Sequence, residues 1–385
     1  ARIMQYRDYG KTGLRPSALG FGAMRLPKRE DGTCDLEVAV PMLQKGLDLG
    51  ITYIDTAWGY INGTSEVAVG KAIKGYDRSR LIIATKIPIH DNLSGKVWRE
   101  RLETQLTRFD MPYIDVMHFH GLRLAELEAD RLAEDGCLAN ARRAQAEGLV
   151  RHLAFSSHDT PENVVRLIET GEFDGVTLQY NLLDRTMEET IRVAHERGLG
   201  TVVMGPVGGG RMAMWSPQQA RELWPDTIRS APDLAIRWVL SNPTVSVALS
   251  GMNALEMIDE NAQSASHEEP LTAAEQAAVQ AMLERLQAFA DLYCTGCDYC
   301  MPCPNGVDIP ANFMLMNYHR VYGMTEYARS NYAKLAAGDK VHVRGHRTFE
   351  GLAADRCIQC GECEPKCPQN IRIIDQLEEV AAALG

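Results

Sequence analysis

No apolar run in this sequence of 385 residues approaches the roughly 18 residues that a membrane-spanning helix needs, so no membrane partner is expected. Positive charge is also in short supply. The chain has 40 Lys and Arg against 51 Asp and Glu, a formal charge of -11, which argues against nucleic acid or an anionic membrane surface, since both want a basic patch. The opening residues, ARIMQYRDYGKTG, have no signal-peptide core, and the location expected from this is cytoplasmic. The length exceeds the roughly 250–300 residues at which single cores stop growing, so two domains are expected, and with no low-complexity linker between them they are expected to dock.

From residue 19 to 251 eight short apolar runs recur: ALGFGAM, ITYIDTA, LIIATKI, YIDVMHFHG, RHLAFSS, FDGVTLQYN, LGTVVMGP and VSVALSG. Segments of helical pattern, such as DLEVAVPMLQKGLDLG and WRERLETQLTRF, alternate with them. Short β-branched runs between helices signal strand-helix units on a parallel sheet, and eight of them predict an α/β fold, a closed TIM (β/α)8 barrel. In DTPENVVRLIETG, Asp159 or Thr160 is placed to cap a helix, with Pro161 at its first position and Gly171 just past its end. The stretch 208–231 follows the seventh run and falls on the rim where such barrels carry their chemistry.

The carboxyl ends of three runs carry polar residues: Asp55, Lys86 and His120, with Tyr60 five residues beyond Asp55. Side chains alternate along a strand. Ile51, Tyr53 and Asp55 therefore share a face, as do Ile82, Ala84 and Lys86, and Val116, His118 and His120. All three polar ends can then point into the barrel mouth. A phenol with a pKa near 10 is a poor acid at neutral pH, but an adjacent lysine cation stabilises the phenolate and lowers that pKa. Tyr60 is thus placed to protonate a carbonyl oxygen as hydride reaches carbon. Lys86 tunes the phenol, Asp55 holds Lys86, and His120 orients the carbonyl. His118 reads as a hydrogen-bonded interior residue.

The motifs GKTGLRPSALGFGAM, YIDTAWGY with SEVAVGKAI, IIATK, YIDVMHFH, AFSSH and GMNALEMIDEN follow in the order in which the aldo-keto reductase superfamily carries its landmarks, and the chain resembles that family over roughly residues 5 to 265. The resemblance implies an oxidoreductase with the catalytic set Asp55, Tyr60, Lys86 and His120. It implies nicotinamide contacts at Ser156, Ser157 and Gln179, with Ser157 replacing the usual asparagine, and adenine contacts at Glu260 and Asn261. The basic residues with which the family grips the 2'-phosphate of NADP are replaced by Gly251, Met252 and Met257, and Met204 stands where an aromatic ring often stacks. The cofactor is thus NADP or NAD. The run GPVGGG, beginning at Gly205, offers backbone amides for a pyrophosphate or a hinge for the following loop.

Eight of the 10 cysteines fall in two runs, CTGCDYCMPCP from Cys294 and CIQCGECEPKCP from Cys357. Cys34 and Cys137 are left over and read as plain small side chains. The second run has the bacterial ferredoxin spacing, in which the fourth cysteine reaches the other cluster. Cys294, Cys297 and Cys300 are then expected to share one 4Fe-4S cluster with Cys367, and Cys357, Cys360 and Cys363 the other with Cys303. Zinc is the alternative ligand of four thiolates, but three cysteines at two-residue gaps crowd one ion. ANFMLMNYHRVYG and TEYARSNYAKLAAG lie between the runs and are helical in pattern, so the segment resembles an α-helical ferredoxin.

The expected organisation is a barrel over residues 1–270, a connecting helix over 271–290 and a C-terminal ferredoxin-like iron-sulfur domain over 291–385. The expected function is interconversion of a small-molecule carbonyl and alcohol with NAD(P)H. One alternative is a reductase fed through the clusters by an external ferredoxin or other electron carrier, for which a flavin would mediate between one- and two-electron chemistry, although no flavin motif is present. Another is an electron carrier or redox sensor on a barrel that does not catalyse.

Overall fold

A computed structural model of the chain describes residues 4–89, 93–182, 184–207, 225–288, 294, 300–320, 323–342, 348–367 and 371–385. The chain divides into two compact units, residues 1–209 with 232–271, and 210–231 with 272–385. In the first, strands β1 (Leu19–Gly22), β2 (Tyr53–Asp55), β3 (Ile82–Ile87), β4 (Ile114–Phe119), β5 (Val150–Ser156), β6 (Gly175–Gln179), β7 (Gly200–Met204) and β8 (Val247–Ser250) form a closed barrel in sequence order. Every adjacent pair is parallel, and β8 returns to β1. Each strand falls on one of the eight apolar runs, β5 beginning one residue ahead of RHLAFSS.

Between the strands run α1 (Leu36–Asp48), α2 (Thr64–Ala72), α3 (Gly95–Phe109), α4 (Leu124–Leu132), α5 (Cys137–Ala146), α6 (Pro161–Glu169) and α7 (Glu188–Glu196). After β7 come α8 (Ala231–Ser241) and, beyond β8, α9 (Leu255–Ser264). The cap of α6 is Thr160, whose side chain accepts from Asn163 N, and Gly171 follows the helix at φ 72°. Helix faces and the outer faces of the strands make the larger core, which includes Phe21, Trp98, Phe109, Phe119 and Phe155. Among the described residues no helix is long and apolar enough to cross a membrane.

A second, smaller cluster fills the barrel itself: Tyr9, Tyr53, Ile82, Ala84, Val116, Ala154, Val202, Val247 and Leu249. The predicted alternation therefore holds for Tyr53, Ile82, Ala84 and Val116. Ile51 differs and packs in the outer core, because β2 begins only at Tyr53, after a turn in which Gly50 takes φ 91°. Tyr9 closes the barrel floor. A Cβ on Gly200 would stand 2.4 Å from its ring and one on Gly175 2.0 Å from its hydroxyl oxygen, so both strand starts need glycine. Gly200→Ala is expected to cost about 1–3 kcal/mol through overpacking, read as a lower urea midpoint of barrel unfolding.

In the second unit, α10 (Ala273–Ala288), α11 (Ile309–Arg320), α12 (Thr325–Ala336) and α13 (Ile373–Leu384) accompany a two-stranded antiparallel sheet, β9 (Val341–His342) and β10 (Thr348–Phe349). Its core gathers Val307, Phe313, Leu315, Leu335, Val380 and Leu384, with Cys294, Cys303, Cys357, Cys363 and Cys367 packed against it. The predicted helices between the cysteine runs are α11 and α12.

Candidate functional site

Asp55 ends β2 and Lys86 is the fifth residue of β3. Lys86 Nζ donates to Asp55 Oδ1 at 2.5 Å and to the Thr56 carbonyl at 2.7 Å. Both side chains are buried, and Asp55 Oδ2 has no partner among the described residues. Tyr60 opens the turn after β2, with Lys86 Nζ 5.0 Å from its ring centroid. His120 lies one residue past β4, its ring edge-on to Tyr60 at 5.8 Å between centroids. The structure thus brings Asp55, Tyr60, Lys86 and His120 together at the carboxyl ends of neighbouring strands. His118 pairs in register with Lys86 but is wholly buried, with Nε2 3.1 Å from Thr177 Oγ1.

Burial pushes the Tyr60 phenol up, and the Lys86 cation pulls it partly back. The net direction is upward, opposite to the sequence expectation, which counted the lysine but not the desolvation. Burial also raises the Asp55 carboxyl against the opposing pull of Lys86. For Lys86 itself burial acts downward, but Asp55 and then Tyr60 outweigh it and hold the ammonium above its ordinary value. Burial, with Lys86 adding to it, drives His118 well below the ordinary imidazole value, so it is neutral. The mouth therefore holds one buried cation, one buried anion, a protonated phenol and an imidazole at the rim.

The positions that the resemblance assigns to the cofactor are less open. Ser156 Oγ accepts from Gly121 N at 3.0 Å, and Ser157 Oγ donates to the Leu122 carbonyl at 2.6 Å and accepts from Asp159 N at 3.1 Å. Both are buried. Gln179 lies beside Gly205, where a Cβ would meet its Oε1 at 2.7 Å, and Met204 next to it is partly exposed. Asn261 is buried and donates to Ser250 Oγ at 3.0 Å, whereas Glu260 is exposed. Met252 is buried and Met257 exposed. Arg25, from the turn after β1, lies across Gly251, where a Cβ would stand 2.9 Å from its Cδ. A cation from another element thus borders the place where sequence reasoning found none. Of the GPVGGG run, residues 208–210 lie outside the described residues, as do residues 211–224 of the loop that follows it.

Sequence reasoning also missed a polar group behind the mouth. Glu66 of α2, wholly buried, accepts from Thr85 Oγ1 (2.7 Å), Gln105 Nε2 (2.6 Å) and Arg108 Nη1 (2.9 Å). A signal existed. On α3 the buried series Trp98, Leu102, Gln105, Phe109 is a core stripe interrupted by one amide. A cleft of about 740 Å³, lined by Arg15, Thr52, Ile82, Asp115 and Arg151 among others, opens at the strand starts, the opposite end of the barrel from this chemistry.

In the second unit a cavity is lined by Cys303, Cys357, Cys360 and Cys363 together with Cys300, Ile309, Ile374 and Leu377. Two segments are tied together to make it. Leu352 N donates to the Gly306 carbonyl (2.8 Å), Asp308 N to the Leu352 carbonyl (3.1 Å), and Asn305 Nδ2 to the Arg356 carbonyl (2.5 Å). Buried Asn312 donates to the Leu352 carbonyl and accepts from Ala354 N. The peptide N–H of Gln359, at φ 55°, donates to Cys357 Sγ at 3.4 Å. Cys303 thereby meets the cysteines of the second run. Soft sulfur ligands in an apolar pocket with an amide on sulfur suit an iron-sulfur cluster, and Cys300, expected in the other set, lines the same pocket. Of the other expected set, Cys300 is buried and Cys294 and Cys367 are partly buried, while Cys297 lies outside the described residues.

Comparison with known proteins agrees with both parts. Residues 18–284 match the model of the aldo/keto reductase family, and residues 293–371 that of a 4Fe-4S dicluster domain. An uncharacterized oxidoreductase of Bacillus subtilis, YqkF, is 28% identical over 294 residues, covering 68% of this chain and 92% of the relative. An NADH-specific methylglyoxal reductase of Escherichia coli is 26% identical over 304 residues, covering 66% and 90%. Among solved structures, the holo form of aldo-keto reductase AKR11C1 from Bacillus halodurans superposes with a TM-score of 0.63 at 27% identity, covering 72% of this chain and 96% of that one.

Proposed function

Since the chain belongs to the aldo/keto reductase family, we propose that it interconverts a small carbonyl compound and its alcohol with NAD(P)H, with Tyr60 as general acid and base. In this reading residues 1–270 are the reductase barrel, 271–290 a connecting helix and 291–385 a domain with two 4Fe-4S clusters. The observation that carries it is the buried Lys86–Asp55 pair beside Tyr60. The nicotinamide, when bound, supplies the hydride to the carbonyl carbon. Tyr60 delivers its proton to the oxygen as negative charge develops there, and Lys86, 5.0 Å from the ring, stabilises the phenolate that remains. Asp55 keeps Lys86 charged and in place. His120, edge-on to Tyr60, orients the carbonyl by a hydrogen bond. Ser156, Ser157 and Gln179 are the side chains proposed to meet the nicotinamide end, with Met204 and Gly205 beside them. Gly251, Glu260 and Asn261 are proposed for the adenosine end.

Cys303, Cys357, Cys360 and Cys363 are proposed to hold one cluster and Cys294, Cys297, Cys300 and Cys367 the other. Anaerobically purified protein is then expected to carry about eight irons per chain, and Cys303→Ser only about four by iron and sulfide assay. Full iron content in that variant would remove Cys303 from the ligand set.

One observation favours a second reading, in which an external ferredoxin feeds the clusters. Cys360 is exposed and its neighbour Ile358 is 62% exposed, so an outside carrier can approach the cavity rim. The visible spectrum decides between the two. Oxidation of NADH or NADPH by methylglyoxal or 4-nitrobenzaldehyde without change in the cluster bands supports the first. Product formed from reduced ferredoxin with no nicotinamide present supports the second.

A further inference from the structure

The turn after Tyr60 is strained. Ile61 takes φ 51° and ψ 51°, Asn62 φ 53° and ψ 35°, and Gly63 φ 78°. Three successive residues are left-handed, and for β-branched Ile61 this is a true outlier. Such a run persists only where its surroundings over-determine it. Thr64 Oγ1 donates to the Ile61 carbonyl (2.5 Å) and Asn62 Nδ2 to the Gly32 carbonyl (3.4 Å), and the two ends of the turn are joined by one side chain of α3. The Arg108 guanidinium lies against Gly63, where any Cβ would stand 2.7 Å from Cζ. Its Nη1 donates to the Trp58 carbonyl (3.1 Å) and to Glu66 Oε2 (2.9 Å), and its Cζ is 4.1 Å from the Trp58 ring centroid. Residues 58 and 63, on either side of Tyr60, are therefore held by the same group.

The same network reaches the lysine strand. Glu66 Oε1 accepts from Thr85 Oγ1 and Gln105 Nε2, and Gln105 Nε2 also reaches the Lys86 carbonyl at 3.4 Å. The Trp58 N–H donates to that carbonyl at 3.0 Å. Strand β3 and the turn are thus clamped to one ion pair, whose carboxylate is buried and whose guanidinium is partly exposed.

We propose that Arg108 is a positioning residue for the reaction: paired to buried Glu66, its planar guanidinium holds the Trp58–Gly63 turn in the left-handed conformation that sets Tyr60 against Lys86. The inference rests on the reading of Tyr60 as the acid. A lysine at 108 can pair with Glu66, but as a point charge it does not also stack on Trp58 and cover Gly63.

Alanine at 108 would strand the Glu66 charge and lower stability for reasons unrelated to Tyr60. The test therefore uses Arg108→Lys and, as a charge-neutral partner, Glu66→Gln combined with Arg108→Met. Both are assayed as full-length holoprotein with NADH or NADPH and 4-nitrobenzaldehyde, beside Tyr60→Phe. Arg108→Lys is expected to fold and to keep the KM for nicotinamide, with kcat lower by on the order of ten- to a hundredfold. The groups that face Tyr60 are Lys86, Asp55 and His120, and a phenol set less closely against Lys86 ionises at higher pH. The alkaline limb of kcat for reduction is therefore expected to move up in both variants, as is the Tyr60 ionisation read by ultraviolet difference against the matching Tyr60→Phe protein. Wild-type kcat with an unmoved limb in either folded variant overturns the inference, as does a loss of kcat that only tracks loss of folded protein. Turnover in Tyr60→Phe overturns instead the reading beneath it.

Discussion

Replacing Tyr60 by Phe is expected to slow carbonyl reduction by on the order of 10²–10⁴-fold while leaving nicotinamide binding and thermal unfolding near those of the wild type. Phenylalanine keeps the ring that faces His120 and lies under the Lys86 ammonium. Only the hydroxyl is lost, so the variant isolates proton delivery from packing. The wild-type pH profile should agree. Reduction needs the protonated phenol, and burial raises its pKa above the ordinary value with Lys86 only partly opposing. Activity is then expected to hold through neutral pH and to fall on the alkaline side of a free phenol, and oxidation of the alcohol should gain where reduction loses. Steady-state kinetics in both directions measure this. A Tyr60→Phe enzyme that keeps even about a tenth of the wild-type kcat would remove Tyr60 from the role.

The barrel was legible because two periods coexist in the sequence. The β-branched runs are short and the segments between them carry helix caps such as Thr160, and a closed parallel sheet of eight strands is the usual home of that alternation repeated eight times. The interior face was legible too, since Tyr53, Ala84 and Val116 occupy it and the same alternation carries Asp55 and Lys86 to the mouth. Ile51 was misplaced because alternation was extended past the start of a three-residue strand.

Other features depend on distances that no local pattern encodes. Glu66 and Arg108 are 42 residues apart on adjacent helices, and what joins them is the packing of α2 on α3. Desolvation of Tyr60 is likewise a property of the assembled mouth. For the cysteines, spacing led to the expectation that Cys303 accompanies Cys357, Cys360 and Cys363; these four line one cavity, and Cys300, expected in the other set, lines it with them. Spacing says nothing of the means, which is a buried asparagine on α11 and three backbone-directed bonds between residues 305–308 and 352–356. Binary patterning reads as helix there, and the polar tie within it is visible only in three dimensions.

Lys86→Met should carry the second large effect, on turnover and stability together. Lys86 is the partner of a buried carboxylate whose other oxygen has no partner among the described residues, so its loss strands a charge at a cost of about 3–5 kcal/mol. Turnover falls as well, because the phenolate loses its cation. Acidity separates the two causes. Burial raises the Asp55 pKa in the wild type and Lys86 opposes it; without the lysine the pKa goes higher still. A group whose folded pKa is raised holds its proton more tightly in the native than in the unfolded chain. Its contribution is therefore favourable below the ordinary carboxylate range and is lost as pH rises through the folded pKa. The deficit of Lys86→Met should then be smallest in acid and grow toward neutral pH. Lys86 itself has a raised folded pKa, so the pairing term it gives the wild type is present throughout that range and is lost only in alkali. The double variant Asp55→Asn with Lys86→Met removes both charges and should recover most of the stability, yet stay as inactive as the single variant. Urea unfolding at acid and at neutral pH, beside kcat for all three proteins, measures this. A deficit in Lys86→Met that is the same at both pH values would mean that Asp55 does not carry the buried charge, and recovery of turnover in the double variant would mean that the cation is not what the phenol needs.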